Sequence, residues 1–188
     1  SVIHKNAQIG TNVTIGPNVY IGKSDIGDNV TIYPNVTIYD NVTIMNNVVI
    51  HSGASIGTEG LGCEREENGT LVKFPHLGGL IIHNNVEIGS NCQIARGALS
   101  NTIIGEGSMI NGGCYISHNV IIESNVWISP HVKIAGSSVI EEGVTLFIGS
   151  IIREQIRLGK DSVIGMGSVV TRDVPKNEVW IGNPAQKK

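Results

Sequence analysis

The chain has 188 residues, of which 40% are hydrophobic and only 4% aromatic, and its formal net charge is −3. This length favours one domain, and the weak negative charge argues against nucleic acid or an anionic membrane as a partner. No apolar run is long enough for a signal or membrane-spanning segment, so the sequence predicts a cytoplasmic protein without membrane insertion.

An aliphatic side chain recurs at every sixth position through most of the chain. One run covers residues 3 to 56 with a single five-residue step, another covers 82 to 94, and a third covers 104 to 170 without a break. Residues six apart on an α-helix point in opposed directions, whereas short extended segments can direct both repeated side chains to one side. The intervening Gly, Asn and Asp residues suit turns. Each hexad is therefore predicted to form a short strand and a corner.

The hexads also predict the overall architecture. Three hexads make one triangular coil, so residues 1–188 are expected to form one all-β domain. This domain is a single-stranded parallel β-helix of about eight coils, stacked about 4.8 Å apart. Cys92 and Cys114 occupy small inward positions of their hexads. They are predicted to be buried thiols rather than a disulfide.

Two segments interrupt the hexads. The first is an inserted loop of about residues 57–81, whose glycines and Phe74-Pro75 step predict an ordered excursion that also contains Cys63. The second is Ala95-Arg96-Gly97-Ala98, which adds residues and resets the register. Because loops on a rigid scaffold often carry function, both segments are candidates for shaping a substrate pocket.

The period places certain residues above one another. One coil of an unbroken run is 18 residues long, and the positions predicted to be stacked on one face are His118, Gly136, Glu154 and Arg172. His118 occupies an outward position that core packing does not explain, and an imidazole with a pKa near ~6.5 suits a general base. Gly136 has no side chain, so its N–H is expected to be accessible within roughly 5 Å of the imidazole level, as an oxyanion donor.

Beyond the hexads, the chain resembles the left-handed β-helix acyltransferases. Its centre, from Ser55 to about Ile122, resembles the lipid A enzyme that N-acylates UDP-3-O-acyl-glucosamine. The matching segments are 56–62, 72–79, 94–99 and 116–120. This chain is expected to lack that family's N-terminal uridine-binding domain and its C-terminal helical extension for acyl carrier protein. Its tail, residues 164–175 and 181–185, instead resembles that of CoA-dependent hexapeptide acetyltransferases.

These resemblances imply an N-acyltransferase that acts on nucleotide-linked amino (dideoxy) sugars for bacterial surface polysaccharides. The acyl group would be acetyl or a short hydroxyacyl, and the donor acyl-CoA. The alternative within the family is a UDP-3-O-acylglucosamine N-acyltransferase that uses acyl carrier protein. The family also implies a homotrimer, with active sites between neighbouring chains. The sequence does not specify the sugar, its nucleotide, the position of the amine or the acyl length.

The resemblance matches His118 to the family's catalytic histidine and Gly136 to its oxyanion glycine. His76 lies in the excursion and Arg96 in the second interruption. Both are expected to line the acceptor pocket.

The coenzyme is expected to extend from the base toward the C-terminus. Arg153 and Arg172 lie two and three coils from His118, which puts Arg172 about 14 Å away. Guanidinium groups suit phosphate oxygens, so these two arginines are expected to bind the phosphates of CoA. The other residues expected to bind the coenzyme are Gly136, Gly165, Ser168 and Pro184.

Three other functions of this fold stay open. A γ-type carbonic anhydrase needs about three converging zinc ligands, and no histidine here has a partner five residues away, so no metal is expected. A serine O-acetyltransferase shares the CoA tail but carries an N-terminal helical domain that is not expected here. A non-enzymatic β-solenoid, such as an ice-binding or structural protein, would need a long flat repetitive face and no excursion.

Overall fold

The computed structural model describes residues 1–188 and contains strands and turns without any helix. The chain therefore offers no helix that is long and apolar enough to cross a membrane. Three sheets of nine, eight and ten strands form the faces of a prism, and the chain visits them in turn. This confirms the all-β parallel β-helix. The stack is slightly longer than the predicted eight coils because strands after the last hexad extend the third face.

The strands of the first face are β1 Val2–Ile3, β4 Tyr20–Ile21, β7 Thr37–Ile38, β10 Ser55–Thr58, β15 Gln93–Ala95, β18 Tyr115–Ile116, β21 Lys133–Ile134, β24 Ile151–Ile152 and β27 Val169–Val170. The strands of the second face are β2 Gln8–Ile9, β5 Asp25–Ile26, β8 Val42–Ile44, β13 Leu80–Ile82, β16 Thr102–Ile104, β19 Ile121–Ile122, β22 Val139–Ile140 and β25 Arg157–Leu158. The strands of the third face are β3 Thr14–Ile15, β6 Thr31–Ile32, β9 Val49–Ile50, β14 Glu87–Ile88, β17 Met109–Ile110, β20 Trp127–Ile128, β23 Thr145–Leu146, β26 Val163–Ile164, β28 Val179–Gly182 and β29 Ala185–Lys187. Outside the prism, β11 Gly62–Arg65 and β12 Leu71–Phe74 form a separate two-stranded sheet.

The core is a column of aliphatic side chains along the prism axis. Ile116, Ile134 and Ile152 follow one another in register on the first face and are fully buried. They belong to one cluster of 40 buried residues, and truncation of such an isoleucine to alanine costs about 2–5 kcal/mol. Ile3 and Ile9 are 45% and 37% exposed because they lie on the first coil, where only the second coil covers them.

Asparagines form many of the corners, in the left-handed backbone region. Asn12 and Asn29 have φ values of 55° and 56°, which asparagine tolerates better than most residues. The Asn12 amide donates to Asn29 Oδ1 at 2.9 Å, and Asn47 repeats this bond to Asn85 at 3.2 Å. The predicted turn residues therefore also link one coil to the next.

The excursion predicted at residues 57–81 is ordered. It leaves the prism after β10, forms the antiparallel hairpin of β11 and β12, and returns at β13. Cys92 and Cys114 are buried free thiols, as predicted, and Cys63 is an exposed free thiol on β11.

The two interruptions of the repeat pack against each other. The N–H groups of Leu77 and Gly78 both donate to the Ala98 carbonyl, at 2.7 and 2.9 Å. Thr58 pairs with Ala95 across a register shift, as the second interruption predicts. The excursion is thereby docked at the corner between the first and second faces.

Candidate active site

His118 and Gly136 occupy equivalent positions on consecutive coils, at the corner where the excursion docks. Their strands β18 and β21 pair in register, and the Ser137 N–H donates to the His118 carbonyl at 3.0 Å. A Cβ added to Gly136 would lie 2.7 Å from Cε1 and 2.9 Å from Nε2 of His118, which is well inside van der Waals contact. The imidazole therefore fills the space of the missing side chain, and the predicted stacking is confirmed.

Asn119 orients the His118 ring. Its Oδ1 accepts the Ala98 N–H at 3.0 Å, and its Nδ2 donates to the carbonyl and hydroxyl of Ser100 at 3.1 and 2.7 Å. These bonds fix which way the amide points. His118 Nδ1 lies 3.1 Å from the same Oδ1. Because an amide oxygen only accepts, the ring proton belongs on Nδ1, and Nε2 carries the lone pair that can take up a proton.

The backbone N–H of Gly136 has no hydrogen-bond partner. At the same corner nearer the N-terminus, the Lys23 N–H is paired with Asp40 Oδ1 at 2.7 Å. Gly136 is also buried rather than accessible as expected, because the His118 ring covers it. A buried N–H without a partner is uncommon in proteins, and it suits an anionic oxygen that a substrate brings.

The excursion places His76 directly against His118. His76 is only 2% exposed, and the two ring centroids are 5.1 Å apart with the ring planes at 67°. Two glycines make room for it. A Cβ on Gly60 would lie 2.6 Å from His76 Nε2, and one on Gly62 would lie 3.2 Å from Cε1. Neither ring nitrogen of His76 has a well-placed hydrogen-bond partner, although the Phe74 carbonyl lies near enough to raise the pKa of the ring slightly.

Two charged side chains, Glu59 and Arg96, lie close enough to His76 to influence its charge. Glu59 pairs with Lys73 at 2.8 Å and accepts the His76 backbone N–H at 3.4 Å, and both bonds lower the pKa of Glu59. Arg96 lies one coil before His118, and its Nε is buried without a partner. Burial lowers the pKa of His76, and a positive charge on His118 lowers it further. His76 is therefore held in its neutral form.

Arg153 and Arg172 follow along the same corner, as the period predicts, since β21, β24 and β27 pair in register. Arg153 Nη1 donates to the Thr171 carbonyl at 3.1 Å. The Arg172 guanidinium lies 5.1 Å from the centre of the Trp180 ring. Both arginines are exposed, so their guanidinium groups can reach an anionic ligand.

Gly165, Ser168 and Pro184 lie at the C-terminal end of the prism but not at the corner of His118. A Cβ on Gly165 would meet Ile181 Cγ2 at 2.5 Å, on the third face. Ser168 is buried, and its hydroxyl accepts the Gly182 N–H at 3.0 Å. Pro184 lies in the turn between β28 and β29. Pro184 therefore lies in the terminal hairpin of β28 and β29, and Gly165 and Ser168 pack against it. Contact of these three residues with a coenzyme stays a prediction.

Sequence reasoning did not single out Asn119 or Glu59. The signal for Asn119 was its place directly after His118, at a corner with φ of 59°. Many other corners of this chain carry asparagine for purely structural reasons, so the sequence alone does not distinguish it.

Two family profiles match the chain. The one described as "Bacterial transferase hexapeptide (six repeats)" matches residues 23–58, and "Hexapeptide repeat of succinyl-transferase" matches residues 138–172. Both matched segments lie on the three-faced parallel prism. The chain is built from hexapeptide repeats and folds as a parallel β-helix, like the hexapeptide-repeat transferases that these profiles describe.

This hexapeptide-repeat protein is similar to curated proteins named UDP-3-O-acylglucosamine N-acyltransferase. It is 40% identical to the one from Methylorubrum extorquens over 136 residues, which cover 72% of this chain and 38% of the relative. It is 35% identical to a second one, from Rhodopseudomonas palustris, over 138 residues, which cover 73% of this chain and 37% of the relative. The chain thus spans about two fifths of the length of the curated relatives it matches.

Solved structures resemble the hexapeptide-repeat protein over its full length. LpxA from Acinetobacter baumannii aligns with a TM-score of 0.85 and 25% identity, covering 100% of this chain and 74% of that one. The UDP-N-acetylglucosamine acyltransferase of Arabidopsis aligns with a TM-score of 0.73 and 26% identity, covering 100% and 71%. The whole chain therefore follows one continuous fold.

Proposed function

We propose that the protein is an acyltransferase that moves an acyl group from a thioester to the amine of a nucleotide-linked sugar, with His118 as general base. This proposal rests on one observation: a ring nitrogen that can accept a proton and a backbone N–H without a partner lie at the same corner of the prism. His118 Nε2 can accept a proton, and the unpaired Gly136 N–H lies against the same ring.

The acyl transfer needs only His118, the Gly136 N–H and the two substrates, because every proton and leaving group is accounted for. The amine nitrogen attacks the thioester carbonyl, a C–N bond forms, and His118 Nε2 takes the proton from nitrogen. The carbonyl oxygen becomes an oxyanion, which the Gly136 N–H stabilises. When the C–S bond breaks, the thiolate leaves and takes up the proton from the imidazolium. Asn119 stabilises that imidazolium through Nδ1 and keeps Nε2 directed at the reacting atoms.

The acceptor side of the site is built by the docked excursion. His76 and Arg96 flank His118 from the excursion and from the preceding coil. Arg96 has a buried Nε without a partner, which supports a role in holding a polar or anionic part of the acceptor.

Two donor and acceptor pairs fit this chemistry. The names of the curated relatives support UDP-3-O-acylglucosamine as acceptor, with acyl carrier protein as the donor that the family resemblance implies. We rank this pair first. The second pair is acyl-CoA with a nucleotide-linked amino (dideoxy) sugar for surface polysaccharides. It is favoured by the two exposed arginines, Arg153 and Arg172, along the corner of the base. We also propose that the reaction takes place in the cytoplasm, where the sequence predicts the protein to be.

We also propose that the protein acts as a homotrimer. Met109 and Trp127 are 57% and 55% exposed on adjacent strands of the third face, and Tyr115 and Ile151 are 37% and 41% exposed on the first face. Apolar side chains grouped on outer faces are typical of association surfaces. Sedimentation equilibrium should give three times the 20.0 kDa of one chain, and a monomer would contradict the proposal.

The decisive experiment is a matrix of donors and acceptors read by mass spectrometry. Purified protein is incubated with acetyl-CoA, hydroxyacyl-CoA or acyl carrier protein loaded with a hydroxyacyl chain. Each donor is combined with UDP-3-O-acylglucosamine or with nucleotide-linked amino dideoxy sugars. One combination should yield an N-acylated product that His118→Ala forms at least ~10²-fold more slowly. If no combination yields product, a non-enzymatic β-solenoid becomes the better interpretation.

A further inference from the structure

His76 carries no chemical step in the proposed reaction, yet it is the most unusual side chain of the site. It is a buried imidazole whose two nitrogens both lack a well-placed hydrogen-bond partner. Leaving buried polar atoms unpaired is costly, and an apolar side chain of similar volume would avoid that cost. Stability therefore does not explain a histidine at this position.

The surroundings of the His76 ring show what it can do. Its Nε2 faces the α-carbon of Gly60, where a Cβ would lie only 2.6 Å away. The Phe74 ring lies edge-on at 6.4 Å, and His118 edge-on at 5.1 Å. Both nitrogens are sealed from solvent, so a bound molecule could not reach them unless the excursion moved. The aromatic ring closest to His76 is that of the base, His118.

His118 needs such a neighbour. The ring makes one hydrogen bond, from Nδ1 to Asn119, so packing must limit its rotation about the Cβ–Cγ bond. Gly136, on the next coil, has no side chain that could limit this motion. The His76 ring, packed at 67° to the His118 ring, blocks this rotation.

We propose that His76 is a positioning residue, which holds the His118 ring in the one orientation that directs Nε2 at the reacting atoms. This role rests on the proposed function. Charge matters as well as shape, because a cationic His76 would oppose proton uptake by His118. The groups that face His76 are His118, Glu59, Arg96 and the Phe74 carbonyl. Burial, His118 and Arg96 lower the pKa of His76, and they outweigh Glu59 and the Phe74 carbonyl, which raise it, so the neutral form is favoured.

The first test separates positioning from stability with His76→Leu. This variant removes the two unpaired nitrogens, so its Tm should be unchanged or higher, while kcat should fall by ~10- to 100-fold because the base is misplaced. KM should stay within about twofold. The matched control is His83→Leu, the same change at a half-buried histidine on another corner, and it should leave both constants unchanged.

The second test displaces His76 without altering it. Gly60→Ala puts a methyl group where the His76 ring now lies, and it should lower kcat as His76→Leu does. Gly62→Ala is the graded variant, since its Cβ would lie 3.2 Å from Cε1, and its effect should be smaller. If Gly60 acts through His76, the double variant Gly60→Ala/His76→Leu should be no slower than His76→Leu alone.

A spectroscopic measurement keeps this inference separate from the proposed function. The ¹⁵N shifts of the His118 ring should report one tautomer, with the proton on Nδ1, in the wild-type protein and a mixture in His76→Leu. Positioning is refuted if the tautomer and kcat are both unaltered. It is also refuted if His76→Gln restores kcat where His76→Leu does not, because a hydrogen bond to substrate would then be the role. If no substrate is ever turned over, the tautomer measurement still decides.

Discussion

A single methyl group at Gly136 tests the geometry of the site. The Cβ of Gly136→Ala would lie 2.7 Å from Cε1 of His118, whereas carbon atoms in contact stay about 3.5–4.0 Å apart. The imidazole must therefore retreat by about 1 Å. A displacement of that size can cost ~10²-fold in rate. Expressed as a barrier, this is about 2.7 kcal/mol. We expect kcat to fall by this amount while KM for the sugar changes little.

The assay is the initial rate of N-acyl product formation at saturating donor and acceptor, with Gly112→Ala as the matched control. Gly112 holds the same place in its hexad as Gly136, but its Cβ would meet only the Ser90 carbonyl, at 3.1 Å. Its kcat should therefore stay within about twofold of wild type.

A double variant separates the two roles of Gly136. In the His118→Ala background the new methyl group has room, so any further loss of rate would come from blocking the oxyanion contact of the N–H. If Gly136→Ala in the wild-type background keeps kcat within about threefold, the reacting atoms do not lie at this corner, and the reasoning is wrong.

Three further predictions concern the base, the donor and the response to pH. His118→Asn should lower kcat by ~10²- to 10⁴-fold, and the residual rate should rise with pH as free amine accumulates; near wild-type kcat at pH 7 would remove His118 as the base. Arg172→Ala should weaken CoA binding in calorimetry by ~10- to 100-fold, the value of one charged hydrogen bond. Wild-type protein that binds no CoA would instead favour acyl carrier protein. The pKa of His76 is lowered by burial, so the folded protein binds fewer protons than the unfolded chain, and acidification below about 6.5 should lower Tm. The decrease in Tm should be smaller in His76→Leu. An equal decrease in Tm with pH in both proteins would show that the pKa of His76 is not lowered by folding.

The period-six repeat by itself determined the fold and half of the site. An aliphatic residue at every sixth position has one physical solution, because only short strands joined by corners place all of these side chains on one axis. Because one coil has 18 residues, counting along the sequence gives the residues that lie above one another on consecutive coils. This is why His118 over Gly136, and Arg153 and Arg172 farther along the same corner, follow from the sequence.

Only the tertiary structure decided how the chain outside the repeat meets that corner. No period governs residues 57–81, so their path depends on contacts between distant segments, such as Leu77 and Gly78 with Ala98. That docking brings His76 within 5.1 Å of His118. Counting residues along the repeat likewise does not give the conformations of side chains. From the sequence, Asn119 is one more asparagine at a corner. It orients the base because its bond with the Ala98 N–H holds its amide oxygen beside His118 Nδ1.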